Sequence, residues 1–402
     1  MLAADPLFAN GVDLAVVLIV IVKTILVFAL LLVGVMFYVW FMRKVIADMQ
    51  NRIGPATAGP FGILQTLADG IKLFFKEHST PDSADRSVFL VAPYLAILPA
   101  FLAFSIIPIG GSVTVAGHRT YLQLADPPIG ILFLLAMSGI GLYGVMLAGW
   151  SSGSKYPLLG SVRASAQLLS YEAALGLAIV AVLIQSGTLS TRGIVDQQLW
   201  IGSWGSFGDW PLWNWFIWPT VVAFVIFVIA AFAETNHPPF DLVEAEQELV
   251  AGFLTEYSGI RYAIFFLAEF MNLITMCAIA VTLFLGGPAG PSLGFLAANG
   301  WVNAWVMPMF WFFGKLLLLL FCTVWVRASL PRMRYDQLMD LGWKYLIELA
   351  FLFAMVSGVF VIARQEDWPV WVYFAATAGA VAVYGVLFLC IPRRDELLEE
   401  IR

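Results

Sequence analysis

The sequence has little charge and few cysteines and histidines. Charged residues make up 12% of its 402 residues, against roughly 25% in a typical soluble domain. This shortage excludes a water-soluble globular protein and a disordered one. The net charge of −6, with no block of basic residues, excludes a nucleic-acid-binding protein. Hydrophobic residues make up 61% of the chain, which indicates a membrane protein.

The three cysteines, Cys277, Cys322 and Cys390, lie far apart in apolar runs. With no Cys-x-x-Cys pair and three histidines in all, the chain has no ligand set for zinc or an iron–sulfur cluster, and the thiols are expected to be buried. It also lacks a haem ligand pair and a flavin motif. We therefore expect no cofactor to be bound by this chain alone, so any redox centre would belong to partners.

Nine apolar stretches are long enough to span a bilayer, since about 20 helical residues are needed. They are Leu14–Met42, Val88–Ile109, Ile129–Trp150, Val162–Ile184, Trp213–Ala233, Ile260–Leu285, Val302–Val326, Tyr345–Ala363 and Val370–Ile391. The sequence predicts an all-α polytopic membrane protein with about nine transmembrane helices. Residues 1–391 form one transmembrane domain, and 392–402 form a charged tail.

Lysine and arginine are distributed unequally between the two sides of these spans. If the N-terminus lies outside and the spans alternate, 16 of the 21 basic residues fall inside. Positive charge concentrates on the inside of membrane proteins. The loops 43–87, 151–161, 234–259 and 327–344 are therefore predicted to face the inside.

The first inside loop contains an amphipathic segment, Pro60–Glu77. Its polar residues Gln65, Asp69, Lys72 and Lys76 recur at helical spacing, which predicts one helix with a single polar face. One interpretation is a helix lying passively at the membrane surface. The other is that Asp69 and Lys72 face a polar cavity, where an i, i+3 ion pair between them holds the carboxylate ionised.

Several charges lie within the predicted spans, where insertion of a charge costs at least about 2.5–3.5 kcal/mol. They include Lys23, Glu172, Glu269, Lys315 and Glu348, and Glu234 stands at the end of the fifth span. Lys23 and Glu348 lie near span ends and can reach the interface with their long side chains. Glu172 and Glu269 lie too deep for that, which indicates a function.

The loop between the fifth and sixth spans is rich in carboxylates. They are Asp241, Glu244, Glu246, Glu248 and Glu256. Carboxylates that are buried together titrate closer to neutral pH and can exchange protons. A solvated acidic loop is the alternative, but the flanking spans carry Glu234 and Glu269, which favours a proton relay.

Four blocks, in order along the chain, resemble the H subunit of respiratory complex I, the membrane-arm subunit called subunit 1 in mitochondria. They are Arg43–Pro55 continuing to Glu77; Gly149–Gly160 with Gln167–Glu172; Glu234–Asp241 with Glu256–Gly259; and Trp325–Leu338. The resemblance implies a subunit of proton-translocating NADH-quinone oxidoreductase in a bacterial cytoplasmic membrane. NADH, flavin and iron–sulfur clusters would be held by partner subunits of the peripheral arm, with other membrane-arm subunits alongside.

The resemblance also implies site residues. The quinone chamber would be lined or supported by Arg52, Asp69, Arg332 and Arg334, and Lys72 joins this set from the polar helix face. The proton path would comprise Glu172, Glu234, Asp241, Glu244, Glu246, Glu248 and Glu269.

Three features depart from the family pattern, one of which is that the ninth span and the acidic tail Asp395–Glu400 extend beyond the eight-span core. Met42 stands where the family usually has Glu, and His237-Pro238 replaces Arg-Ala. His237 follows Glu234 by three residues and precedes two prolines, so a helix is expected to end there. A cation is favoured at a helix C-terminus. His237 is therefore predicted to lie beside Glu234 and to replace the family's arginine as a cation.

Two other functions remain open at this point. One is the homologous subunit of a membrane-bound hydrogenase, which shares the fold without the quinone reaction. The other is a stand-alone proton-coupled transporter, which would need its own substrate site.

The predicted topology can be tested by cysteine labelling of intact cells with a membrane-impermeant maleimide, in a chain whose own cysteines are replaced. Ser329→Cys, in the loop 327–344, should stay unlabelled until the membrane is opened, because that loop is predicted inside. Thr114→Cys, predicted outside, is the matched control and should react at once. Immediate labelling at position 329 would contradict the topology.

Overall fold

The computed structural model describes residues 5–8, 11–200, 215–242, 249–291 and 301–366, with scattered helical positions between 371 and 386. Eleven α-helices lie within these residues. They are α1 (Leu14–Met49), α2 (Gln65–Phe75), α3 (Arg86–Phe104), α4 (Gly130–Ser151), α5 (Lys155–Ser186), α6 (Thr191–Trp200), α7 (Val221–Glu234), α8 (Gly259–Phe284), α9 (Met307–Ser329), α10 (Tyr335–Asp340) and α11 (Ile347–Gln365). A hairpin of β1 (Ser112–Val115) and β2 (His118–Tyr121) lies between α3 and α4.

Seven of the helical segments in the described residues are long and apolar enough to cross a membrane, which confirms the all-α membrane fold. The fifth predicted span is shorter than expected. It begins at Val221 rather than Trp213 and has 14 residues, about 21 Å of helix. Of the ninth predicted span, Val370–Ile391, only the scattered helical positions are described, and the tail 392–402 lies outside the described residues.

The long helices α5 and α8 form the centre of the bundle and are its most buried spans. Small residues allow close contact between neighbouring helices. At Gly144 of α4, for example, an added Cβ would lie 2.7 Å from the backbone nitrogen of Ala96 in α3. The helix α1 is largely exposed, and the Tyr38 hydroxyl joins it to α9 at 2.9 Å from Thr323 Oγ1.

The segments predicted to lie outside meet at one end of the bundle, called here the outer end. The Lys23 ammonium of α1 contacts both Asp5 Oδ2 and Thr120 Oγ1 at 3.0 Å. Lys23 therefore does not simply extend to the interface, as its place near a span end suggested. It attaches the N-terminal segment and the hairpin to α1.

The opposite, inner end carries α2 and the basic loops. The amphipathic helix is shorter than the predicted Pro60–Glu77, because a 3-10 turn at Pro60–Gly62 precedes it and α2 ends at Phe75. Within the described residues several of its apolar side chains are exposed, with Ile71 at 51% and Phe74 at 70%. The face is therefore free to contact lipid or another subunit.

Candidate functional site

A cavity lies in the middle of the bundle, between α3, α4, α5, α8 and the turn that follows α7. The volume open to water within it is about 80 Å³. One water molecule needs about 10–15 Å³ of such volume, so the cavity has room for several water molecules. A membrane protein with a wet interior space can keep ionisable groups within its spans.

Three of the predicted carboxylates line this cavity together. Glu172 comes from α5, Glu234 from the end of α7 and Glu269 from α8. Asn236, Asn272, Thr275 and Ser138 supply further polar groups to its wall. The structure thus brings together three acids that are up to 97 residues apart in the sequence.

Glu234 is attached to α4 through one oxygen only. Its Oε1 accepts a hydrogen bond from the Ser138 hydroxyl, whereas Oε2 is buried with no hydrogen-bond partner among the described residues. Glu172 is near enough to act on Glu234 electrostatically. This carboxylate therefore lies beside a second acid and the cavity, with one oxygen that has no hydrogen-bond partner among the described residues.

The turn after α7 is held tightly by its neighbours. Gln167 Nε2 on α5 donates to Ala233 O at 2.8 Å and to Phe240 O at 3.0 Å. On the other side the Met333 amide donates to Pro239 O at 3.1 Å. The side chains of this turn therefore have fixed positions between the cavity and the loop after α9.

His237 contacts Glu269, not Glu234 as predicted from the spacing. The ring is 1% exposed, and Nδ1 lies 2.7 Å from Thr235 O and 3.3 Å from Glu269 Oε1. The chain reverses after α7, which turns the ring away from Glu234 towards α8. Both neighbours of Nδ1 are acceptors, so Nδ1 carries a hydrogen, while Nε2 is buried with no partner among the described residues. This geometry gives His237 the role of a hydrogen-bond donor.

Asp241 lies on the far side of the turn. Burial raises the pKa of its carboxyl, and the charge of Glu269 raises it further, while Arg332, Arg327 and His237 act in the opposite direction. Asp241 therefore lies within electrostatic range of both Glu269 and the arginines near the end of α9. Of the other predicted acids of this loop, Glu244, Glu246 and Glu248 lie outside the described residues.

At the inner end, Asp69 pairs with Arg43 rather than with Lys72. Arg43 Nη1 lies 2.7 Å from Asp69 Oδ2, and Gln65 Nε2 donates to Oδ1 at 3.2 Å. A long-range partner from α1 thus takes the place of the predicted i, i+3 partner. Lys72 itself is exposed.

The other residues predicted to line a quinone chamber lie on the surface of the chain. Arg52 is exposed, and its Nε donates to Gln50 Oε1 at 2.6 Å. Arg334 is also exposed and lies 3.4 Å from Asp336. Arg332 is exposed and acts electrostatically on Asp241. Any chamber that includes these residues would need a partner to close it.

Several residues of the site were not predicted from the sequence. Ser138 donates a hydrogen bond to Glu234, and Gln167 holds the turn after α7. A single serine or glutamine in an apolar helix forms no sequence pattern from which such a role could be predicted. Arg327 Nη1 lies 3.3 Å from Met42 Sδ. The departure at Met42 therefore places a thioether, in place of a carboxylate, next to this guanidinium.

Comparisons with known proteins agree with the sequence blocks. The family described as NADH dehydrogenase matches residues 22–358. A protein of Frankia alni, named as the H subunit of NADH-quinone oxidoreductase, is 48% identical over 374 residues, 92% of this chain and 78% of the relative. A protein of the same name from Frankia casuarinae is 46% identical over 386 residues, 95% of this chain and 82% of the relative.

The role of His237 can be tested by three substitutions, with NADH:quinone activity as the readout. Asn can place an N–H near the position of Nδ1 but carries no charge, so His237→Asn should keep most activity. His237→Leu should lose activity several-fold, because Thr235 O loses a buried donor. His237→Arg should also lose activity, because the site has no room for the larger side chain.

The opposite pattern would show that the cation matters. In that case His237→Arg would retain activity, and His237→Asn would be as impaired as His237→Leu.

Proposed function

This chain belongs to the H-subunit family of NADH-quinone oxidoreductase, and we propose that it walls a quinone chamber and passes protons from there towards the pumping subunits. The proposed path runs through buried carboxylates. The observation that carries the proposal is the cavity shared by Glu172, Glu234 and Glu269. These three acids come from three different elements and line one interior space, where charged groups are costly, and that convergence favours a function for them.

The turn after α7 supports a connection between this cavity and the inner end. His237 contacts Glu269. The pKa of Asp241 is raised by the charge of Glu269 and lowered by the charge of Arg332. A change of charge near Arg332 therefore alters the electrostatic environment of Asp241, and through it that of Glu269. In the proposed mechanism this is how quinone chemistry affects the protonation of the cavity.

The proposed chamber lies at the inner end, between α2 and the loop after α9. Its polar wall would be formed by Arg52, Asp69, Lys72, Arg332 and Arg334. The ion pair of Asp69 with Arg43 attaches α2 to α1 and fixes the position of one carboxylate at the inner end. The exposed apolar face of α2 suits contact with an apolar quinone tail or a peripheral-arm subunit.

The partners in this proposal supply everything that carries electrons. NADH, flavin and iron–sulfur clusters would belong to peripheral-arm subunits, and quinone would be the substrate at the interface. The chain would contribute a wall, a path for protons and a multi-pass anchor in the bacterial cytoplasmic membrane. The proposal includes Glu244, Glu246 and Glu248 as the continuation of the path beyond Asp241.

The proton path is tested by Glu172→Gln and Glu269→Gln in the assembled complex. Gln keeps the size of the side chain but cannot carry a proton, so proton pumping coupled to quinone reduction should fall at least several-fold in both variants. Glu366→Gln, at an exposed carboxylate beyond α11, is the matched control and should pump normally. Normal pumping in both cavity variants would refute the path.

The chamber wall is tested by Asp69→Ala, which breaks the ion pair with Arg43. Quinone reduction should fall several-fold, while electron transfer from NADH to a hydrophilic artificial acceptor stays intact. Asp48→Ala removes an exposed carboxylate from the same end of α1 and serves as the control. If Asp69→Ala lowered both activities equally, lost assembly would explain the result instead.

A further inference from the structure

Lys315 is a buried lysine that the proposed proton path does not use. It lies in the outer half of α9 and is 7% exposed. Its ammonium lies 2.6, 2.9 and 2.5 Å from the carbonyl oxygens of Leu285, Gly287 and Ala289. A lysine ammonium has three N–H donors, so every donor has an acceptor. The nitrogen also lies 4.2 Å from the ring centre of Trp215, within range of a cation–π contact.

One of the three acceptors, Leu285, is the C-cap residue at the outer end of α8, and the other two, Gly287 and Ala289, lie in the loop that follows. The last carbonyls of a helix have no partner within the helix and form the negative end of its dipole. Two other groups satisfy the neighbouring carbonyls. Gln198 Nε2 donates to Thr282 O at 2.9 Å and to Leu283 O at 3.3 Å, and the Ile217 amide donates to Phe284 O at 2.9 Å. Lys315, which belongs to α9, donates to the carbonyls that follow these at Leu285, Gly287 and Ala289.

The loop after α8 is shaped so that its carbonyls converge on one point. Gly286 and Gly287 adopt positive φ angles of 73° and 56°, which favour glycine. On the far side of the loop, Trp311 Nε1 donates to Pro291 O at 3.1 Å. The carbonyls are therefore arranged around a cation, and α9 supplies it.

We propose that Lys315 is a fixed cation that caps α8 and thereby positions Glu269, rather than a carrier of protons. Glu269 lies sixteen residues before Leu285, about 24 Å along the helix axis. α8 is continuous from Gly259 to Phe284, and in this proposal the contacts of Lys315 at its outer end limit the shift of Glu269 along the helix axis. The positioning role rests on the proposed function of Glu269, whereas the cap itself does not.

The test uses Lys315→Met and Lys315→Arg in the whole complex, with two readouts. The first is hydrogen exchange of amides in residues 280–291. Lys315→Met should raise their exchange by about tenfold or more, since buried hydrogen bonds to a charged group are lost. Lys315→Arg keeps a cation and should retain most of the protection. Lys344→Met removes a lysine that pairs with Asp340 at 3.0 Å and should leave exchange in this loop unchanged.

The second readout is the number of protons pumped per electron. Lys315→Met should lower turnover while this ratio stays at the wild-type value, because misplacing Glu269 slows the whole coupled reaction. A lower ratio with electron transfer intact would show that Lys315 carries protons, and would overturn the proposal. So would wild-type exchange and turnover in Lys315→Met.

A third variant covers the case in which arginine does not fit. Lys315→Ala lacks the length of a propylammonium ion, so added propylammonium should restore protection and turnover, and propanol should not. Failure of both Lys315→Arg and propylammonium would overturn the cap. Normal pumping by Glu269→Gln would instead overturn the proton path and leave the exchange result standing.

Discussion

The fold depends on the cost of keeping charged groups inside a membrane-spanning bundle. Each such group needs a partner, a wet space or a protonation change, because an isolated charge in hydrocarbon is unstable. The chain meets this constraint in different ways at different depths. Lys315 uses backbone carbonyls, Lys23 uses a carboxylate and a hydroxyl, and the three glutamates share a cavity. In the proposed mechanism, the glutamates of the cavity are the groups that change their charge.

That difference separates structural charges from functional ones. All three donors of Lys315 have carbonyl acceptors, and in our proposal its charge serves the structure. Glu234 has one oxygen bound to Ser138 and one buried without a partner among the described residues. In the proposed mechanism, this incomplete solvation allows the carboxylates of the cavity to change protonation when the charge at the inner end changes. The turn after α7 lies between these two regions and links them.

The sequence predicted the helices well because hydropathy is a local property. The span starting at Leu14 and the helices around Glu172 and Glu269 lie where apolar runs place them. The late start of α7 was not predicted, because turn residues such as Trp215 and Trp218 are as apolar as helix residues. The depth of Glu172 and Glu269 was enough to mark them as functional candidates before any contact was known.

Partners across the fold could not be predicted in the same way. The spacing of Asp69 and Lys72 allowed an ion pair within α2, but Arg43 reaches Asp69 from another helix. Likewise, the spacing of Glu234 and His237 ignored the reversal of the chain after α7, which turns the ring to Glu269. Local spacing shows which pairs are possible, and tertiary packing decides which of them form.

In the proposed mechanism the carboxylates of the cavity change protonation when quinone is reduced. Infrared difference spectra of the complex, recorded on reduction of quinone, measure this directly through the C=O stretch of protonated carboxyl groups. We expect a difference band in this region that shifts in D₂O and weakens in Glu234→Gln and Glu269→Gln. A spectrum without such a band, or one unchanged in both variants, would contradict it.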